Sequence, residues 1–417
     1  MITSERNWAG NHTYRATRVH YPTSVDELQK IVAGAPKIHA LGSRHSFNDV
    51  ADSGELVSLE GLDSGIEIDR DASTVTVSGG MRYGALAQAL EREDLALHNM
   101  ASLPHISVAG AIATATHGSG DANGNLSTAV AALELVTSDG DIVNVSRGDE
   151  DFAGMVVGLG ALGVVTHLTL DVQPSYLMRQ EVFEDLAWDV LYERFDEVMS
   201  STDSVSLFLD YGDTVGSVWL KSRIGSEDPW ERSESFMGAR AAARNRHPLP
   251  DFPGETCTGQ MGVPGAWMDR LPHFRMEATP ASGDEIQAEY MIPRRFAVPA
   301  LQALRAIASV IRPHLLISEV RTVAADDLWL STAYGTETVC LHFSLKPDQG
   351  EVDRLLPIVE EALAPFDPRP HWGKMFVAGT KDLENRYERL PDFRRLAERL
   401  DRRGAFRSAF LDRHMFG

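Results

Sequence analysis

The sequence predicts a two-domain α+β protein, and three observations carry that expectation. At 417 residues the chain is longer than one ordinary hydrophobic core spans. In its first half, short alternating apolar runs predict strands, and two loops of Gly, Ser, Thr and Ala lie among them. After Pro174 the pattern restarts, with strands and helices in an order that suggests a sheet covered by helices.

Taken in order, Ser24-Val-Asp-Glu27 reads as a capping box. It opens a helix with Val25, Leu28, Ile31 and Val32 on one face, which Gly34 and Pro36 close. The apolar run 38–41 predicts a strand that leads into the loop 42–49. Runs 56–59 and 73–78 predict strands, the second because Val75 and Val77 alternate with Thr74 and Thr76. Positions 83–93 predict a helix ahead of the second loop. Asp139-Gly140 between the runs 132–137 and 142–145 signals a hairpin, and the alternating run 164–172 closes this half. The second half predicts a helix over 188–199 and strands over 204–211 and 218–223. An irregular, Pro-, Gly- and Arg-rich stretch over 225–264 follows, with one short helix near 236–244. A strand over 286–292, a helix over 297–311, strands over 315–323 and 338–346 and a helix over 352–363 complete the reading.

Composition excludes several classes. With 43% hydrophobic and 24% charged residues the chain is globular, not disordered. A formal net charge of -21 repels nucleic-acid phosphates and anionic membranes, so a neutral small-molecule substrate is the easier partner. Two cysteines, Cys257 and Cys340, make no disulfide framework. No apolar run reaches the length of a membrane span, and residues 1–11 lack a signal-peptide core, so a cytoplasmic location is the expectation; a monomer is expected separately, with no residue pattern behind it. The sequons at Asn11 and Asn125 then read as chance.

The chemistry-bearing residues fall in a few places. The stretch Ala40-Leu-Gly-Ser-Arg-His45-Ser-Phe-Asn-Asp49 is a strand emptying into a small polar loop, which offers bare backbone N–H groups to a phosphate. His45 stands at its tip; taken alone, such a histidine is most often a solvent-facing side chain. The second loop, 102–120, is nearly free of bulk and can also approach a ligand closely. On the run 315–323, Glu319 and Arg321 share a strand face. They are either an exposed pair worth little or a buried, paired site. On the next strand His342 and Ser344 likewise share a face, adding a third polar group to a possible constellation. Pro370-His371-Trp-Gly-Lys374 supplies another imidazole and an ammonium that alone would read as solvated. Gly158-Leu-Gly160-Ala-Leu-Gly163 spells a dinucleotide fingerprint, which needs a strand before it and a helix after it. Here a helical pattern (152–157) leads in and the strand 164–172 leads out, so tight turns account for the glycines better than a nicotinamide site. No His-Glu-x-x-His or Cys-x-x-Cys occurs, so no metal centre is expected.

The two loops, with Asn7-Trp-Ala-Gly-Asn11, resemble the cofactor-binding half of the vanillyl-alcohol-oxidase/PCMH-type flavoproteins. From Asn7 to Phe406 the chain is similar to the alditol oxidases among them. The resemblance implies a two-domain α+β fold: an FAD-binding domain over 1–176, an α+β substrate (cap) domain over 177–377, and a segment over 378–417 that returns to the first. It implies FAD held covalently by His45 through the flavin ring methyl. The cofactor-binding positions would be Ala40, Leu41, Gly42, Ser43, Arg44, His45, Ser46, Ser102, Ser107, Val108, Ala109, Gly110, Ala113, Thr114, Ala115, Thr116, Gly163, Val164 and His371. Arg44 stands where the family usually has Gly, and would be strained if that position needs φ > 0.

The family's polyol-binding and catalytic residues match Ser102, Glu319, Arg321, His342 and Lys374. Ser344 replaces the usual threonine and keeps its hydroxyl. In the implied reaction a terminal primary alcohol of xylitol, sorbitol or glycerol becomes the aldose, and O2 becomes H2O2. Arg321 and Lys374 would hold the reacting hydroxyl and stabilise negative charge, Glu319 would orient Arg321, and His342 would take the proton. Ser102 and Ser344 would bind the remaining hydroxyls. His105 and His117 are expected to shape the second loop. The rival within the fold is an aldonolactone oxidase or sugar dehydrogenase using another electron acceptor. From another class, a non-catalytic sugar-binding protein would be colourless.

Overall fold

The computed structural model describes residues 5–62, 65–225, 231–278 and 285–417. A parallel three-stranded sheet sets Arg18–His20 and Ile38–Leu41 on either side of Glu55–Ser58. The Val25–Gly34 helix crosses between the outer two, burying Leu28 and Val32 against Ile38 and Val57. Ser24 caps it, its Oγ accepting from the Glu27 N–H at 3.2 Å. The Glu27 carboxylate accepts from the Thr23 N–H at 2.8 Å, one residue ahead of the expected box, because the Thr23 hydroxyl adds a second bond at 3.1 Å.

An antiparallel five-stranded sheet follows, ordered Ile66–Asp69, Thr74–Ser78, Val164–Asp171, Val130–Val136, Ile142–Ser146. Val164–Asp171 alternates buried and half-buried along its whole length, as its pattern dictates. Leu383, Tyr387, Leu390, Phe393 and Phe410 from the chain's end fill the same core as the Tyr83–Arg92 helix. Ile38 donates its N–H to the Ala405 carbonyl at 2.9 Å.

Among the described residues, the stretch 177–370 makes a ten-stranded sheet. Its central run is Leu177–Ala187, Thr214–Arg223, Ser204–Leu209, Leu315–Val323, Thr338–Leu345, Ile286–Pro293. Ala288, Tyr290, Val320, Leu341 and Phe343 pack with the helices Ala297–Ala306 and Gln349–Leu363. Period two then turns Gln287, Glu289, Glu319, Arg321, His342 and Ser344 to the opposite face, which borders a cavity shared with the first-half loops.

Several expectations are corrected. The helix near 236–244 is instead a hairpin of Ser235–Phe236 and Ala239–Ala241, because Met237 (φ 48) and Gly238 (φ 90) are both left-handed, as a two-residue hairpin turn needs. Residues 226–230 of the irregular stretch lie outside the described residues. The helix over 188–199 breaks at Arg194 and that over 297–311 breaks at Ile307, each leaving helical backbone angles. The 11-residue strand Leu177–Ala187 has no counterpart in the sequence reading. Its buried positions include Gln180 beside Met178 and Val182, so hydropathy alone does not show the alternation.

Candidate active site

The Ile38–Leu41 strand delivers loop 42–48 to one end of the cavity. Ser43 and Ser107 lock the two loops reciprocally: the Ser107 N–H donates to Ser43 Oγ at 2.9 Å and the Ser43 N–H to Ser107 Oγ at 3.3 Å. A Cβ on Gly42 would lie 2.5 Å from Ser107 Oγ, so this contact needs glycine. With the expected covalent link removed by His45→Ala, a further Gly42→Ala change should release bound flavin several-fold more readily on dilution. In that background Ser107→Ala alone also weakens the clamp, and the two changes together lose less than their single effects combined. Flavin fluorescence in the filtrate measures all three.

Arg44 has φ 62, the strained case anticipated for an arginine at this position, and its guanidinium pairs with Glu5 at 2.9 Å. Its carbonyl accepts from the Trp8 N–H at 2.8 Å, and the Trp8 ring stacks on His45 with centroids 5.6 Å apart. Asn48 donates to the carbonyls of Trp372 and Lys374 at 2.9 and 2.7 Å, tying the loop to the segment that bears Lys374. His45 lines the cavity with its Nδ1 buried and unpartnered. Burial, aided by Arg82, pushes the imidazole down to about 4, so it is neutral at ordinary pH.

These features fit FAD: two clamped small-residue loops, an apolar trough, and a neutral ring nitrogen without a partner. Of the expected cofactor positions, Val108, Ala115 and Val164 are buried in the packed core and are not on the cavity wall. The others do line it, and so do Gly158 and Gly160 of the G-x-G-x-x-G stretch. That stretch is led in by Phe152–Met155 and out by Val164–Asp171, as expected.

At the other end the sheet face gathers Ser102, Glu319, Arg321, His342, Ser344, His371 and Lys374 around the same cavity. The sequence reading missed the residue that binds them, Glu289. Its carboxylate accepts from Arg321 Nη2 at 3.0 Å and Lys374 Nζ at 2.7 Å, and His117 Nε2 lies 3.3 Å away. A single charged residue in the mostly apolar strand Ile286–Pro293 was the available signal, since a buried carboxylate needs cations. Burial would raise the Glu289 carboxyl, but Lys374, His117 and Arg321 outweigh it and hold it well below the usual range. Glu319 is likewise held low against burial, by Arg321 and His273. Arg321 Nε stands 3.5 Å from Glu319, and Nη1 donates to Ser102 Oγ at 3.3 Å.

Burial pulls the Lys374 ammonium below the ordinary lysine value, with Glu289 resisting. Burial and then Lys374 push His342 down to about 3, and its Nδ1 is buried without a partner. His105 ties the second loop to a distant segment, its ring bonded to the Met276 carbonyl at 2.9 Å. His117 does more: Nδ1 holds the Gly118 carbonyl at 2.9 Å while Nε2 faces the site. His117, Glu289 and His371 bring ligand-type atoms within 4.8 Å of one another. Both Glu289 oxygens already accept from cations, so the group reads as ion pairing.

The pattern of the FAD binding domain matches residues 16–146, and that of D-arabinono-1,4-lactone oxidase matches 281–414. Alditol oxidase of Streptomyces sp. (strain IKD472 / FERM P-14339) is 47% identical over 419 residues, 99% of each chain. L-gulono-1,4-lactone dehydrogenase of Mycobacterium tuberculosis (strain ATCC 25618 / H37Rv) is 33% identical over 95% of each. Cholesterol oxidase from B. sterolicum superposes with a TM-score of 0.77 at 15% identity, over 98% of this chain and 96% of that one, a likeness of fold alone. With such coverage by the Streptomyces relative, the chain belongs to the alditol oxidase family of vanillyl-alcohol-oxidase/PCMH-type flavoproteins, FAD-dependent oxidoreductases acting on CH–OH groups.

Proposed function

We propose that the protein oxidises the terminal primary alcohol of a polyol such as xylitol, sorbitol or glycerol. RCH2OH and O2 become RCHO and H2O2. The observation that supports this best is the sheet face itself, where two cations, two carboxylates, a neutral imidazole and two hydroxyls border one cavity with the FAD loops. Such a mixed set suits a neutral chain of hydroxyls better than an anion. We read 1–176 as the FAD-binding part, 177–377 as the substrate cap and 378–417 as the returning segment.

FAD, when bound, supplies the acceptor for the hydride that leaves the alcohol carbon. Lys374 and Arg321 hold the reacting oxygen and stabilise the negative charge that grows on it. His342, neutral and with an unpartnered Nδ1, takes the hydroxyl proton. Glu319 and Glu289 keep the two cations in place, and Ser102 and Ser344 bind the remaining hydroxyls. His45, neutral and unpartnered at Nδ1, is the point of covalent flavin attachment. His45→Ala should therefore leave acid-precipitated protein colourless while the parent precipitate stays yellow.

The pH dependence follows from the two shifted groups. Flavin reduction should slow as pH rises through the lowered Lys374 value, because the ammonium is lost, and on the acid side only near pH 3, where His342 protonates. Stopped-flow reduction rates across pH check both limbs.

A second reading, oxidation of an aldonolactone, is favoured by the lactone-oxidase match over 281–414. Peroxide formation with polyols and not with aldonolactones supports the first reading; the reverse supports the second.

A further inference from the structure

On the same sheet face as Glu319, but off the cavity wall, lies a buried lysine that the mechanism above does not use. Lys221 sits on Thr214–Arg223, two strands from Glu319, and is 1% exposed. Its Nζ donates to the Leu271 and Pro272 carbonyls and to His273 Nδ1 at 3.2 Å. Burial lowers the Lys221 ammonium to about 7; while it is protonated it has no lone pair, so Nδ1 is the acceptor and the ring hydrogen sits on Nε2. Nε2 in turn donates to Glu319 Oε1 at 2.8 Å. Arg321 Nε also faces Oε1, which leaves Oε2 for a substrate hydroxyl. Phe208 and Trp219 meet the His273 ring edge-on, at 5.4 and 5.5 Å, and oppose a flip.

We propose that Lys221 is a positioning residue: through His273 it fixes the tautomer that aims the Glu319 carboxylate at the polyol. The substrate named here rests on the function proposed above; the relay itself does not. Lys221 is off the cavity wall, whereas His273 lines it. The charged and titratable groups around the ammonium are His273, Glu319, Arg321 and Cys257. Burial, and then Lys221, push His273 down to about 4, in keeping with a neutral, single-tautomer ring.

The test uses the flavin-loaded enzyme. Nitrogen-15 spectra of histidine-labelled protein should show the His273 resonance, identified by its loss in His273→Gln, as the Nε2–H tautomer. In Lys221→Met it should move toward a mixture. KM for xylitol should rise about tenfold in Lys221→Met with kcat within about twofold. His273→Gln, which keeps an N–H donor, should retain KM better than His273→Leu. An unchanged tautomer and KM in Lys221→Met overturns the relay. If that variant does not fold, equal KM values for His273→Gln and His273→Leu overturn it. Should the parent enzyme turn over no polyol, the functional reading fails, yet the spectra still decide the relay.

Discussion

Replacing Lys374 with methionine is expected to slow anaerobic reduction of the flavin by a polyol about 10²–10³-fold, with the flavin content unchanged. The magnitude is that of removing one preorganised donor aimed at developing charge in a dry site. Lys374 is placed for that role by three contacts. Asn48 holds its carbonyl, its N–H donates to the His371 carbonyl at 3.0 Å, and its ammonium rests on Glu289 at 2.7 Å. The first two survive the substitution, so the loop against the flavin keeps its shape. Equal loss of flavin and of rate would show that Lys374 supports the fold and not the reaction.

Glu289→Gln should cost about 3–5 kcal/mol of stability, the range for breaking a buried ion pair by removing one partner. Both Arg321 and Lys374 lose their shared carboxylate. Because the Glu289 pKa is depressed in the folded state, its stabilisation is present above the ordinary glutamate value and is lost as pH falls through the folded one. The parent-minus-variant difference in unfolding free energy should therefore be full near neutrality and shrink in strong acid. Denaturant melts at several pH values measure it. The variant should also show its alkaline rate limb at lower pH, since Glu289 is the main group resisting deprotonation of Lys374.

Much of this site was legible because strands print their faces in alternation. Glu319 with Arg321, and His342 with Ser344, do share one face, and Glu319 pairs directly across from His342. The loop around His45 was legible because small residues behind an apolar strand leave little but backbone to meet a ligand. Glu289 was not recognised, although its strand was, because its partners come from distant segments at Arg321, Lys374 and His117. Lys221 and His273 were hidden for the same reason: strand order brings 214–223 near 315–323, and an irregular stretch brings His273 between them. The Leu177–Ala187 strand escaped because Gln180 occupies one of its buried positions.

Anaerobic titration of the purified protein with xylitol tests the central claim most directly. Complete bleaching of the oxidised flavin band, followed by its return with one equivalent of H2O2 when oxygen is readmitted, is the expected result. A yellow protein whose band no polyol bleaches would contradict it.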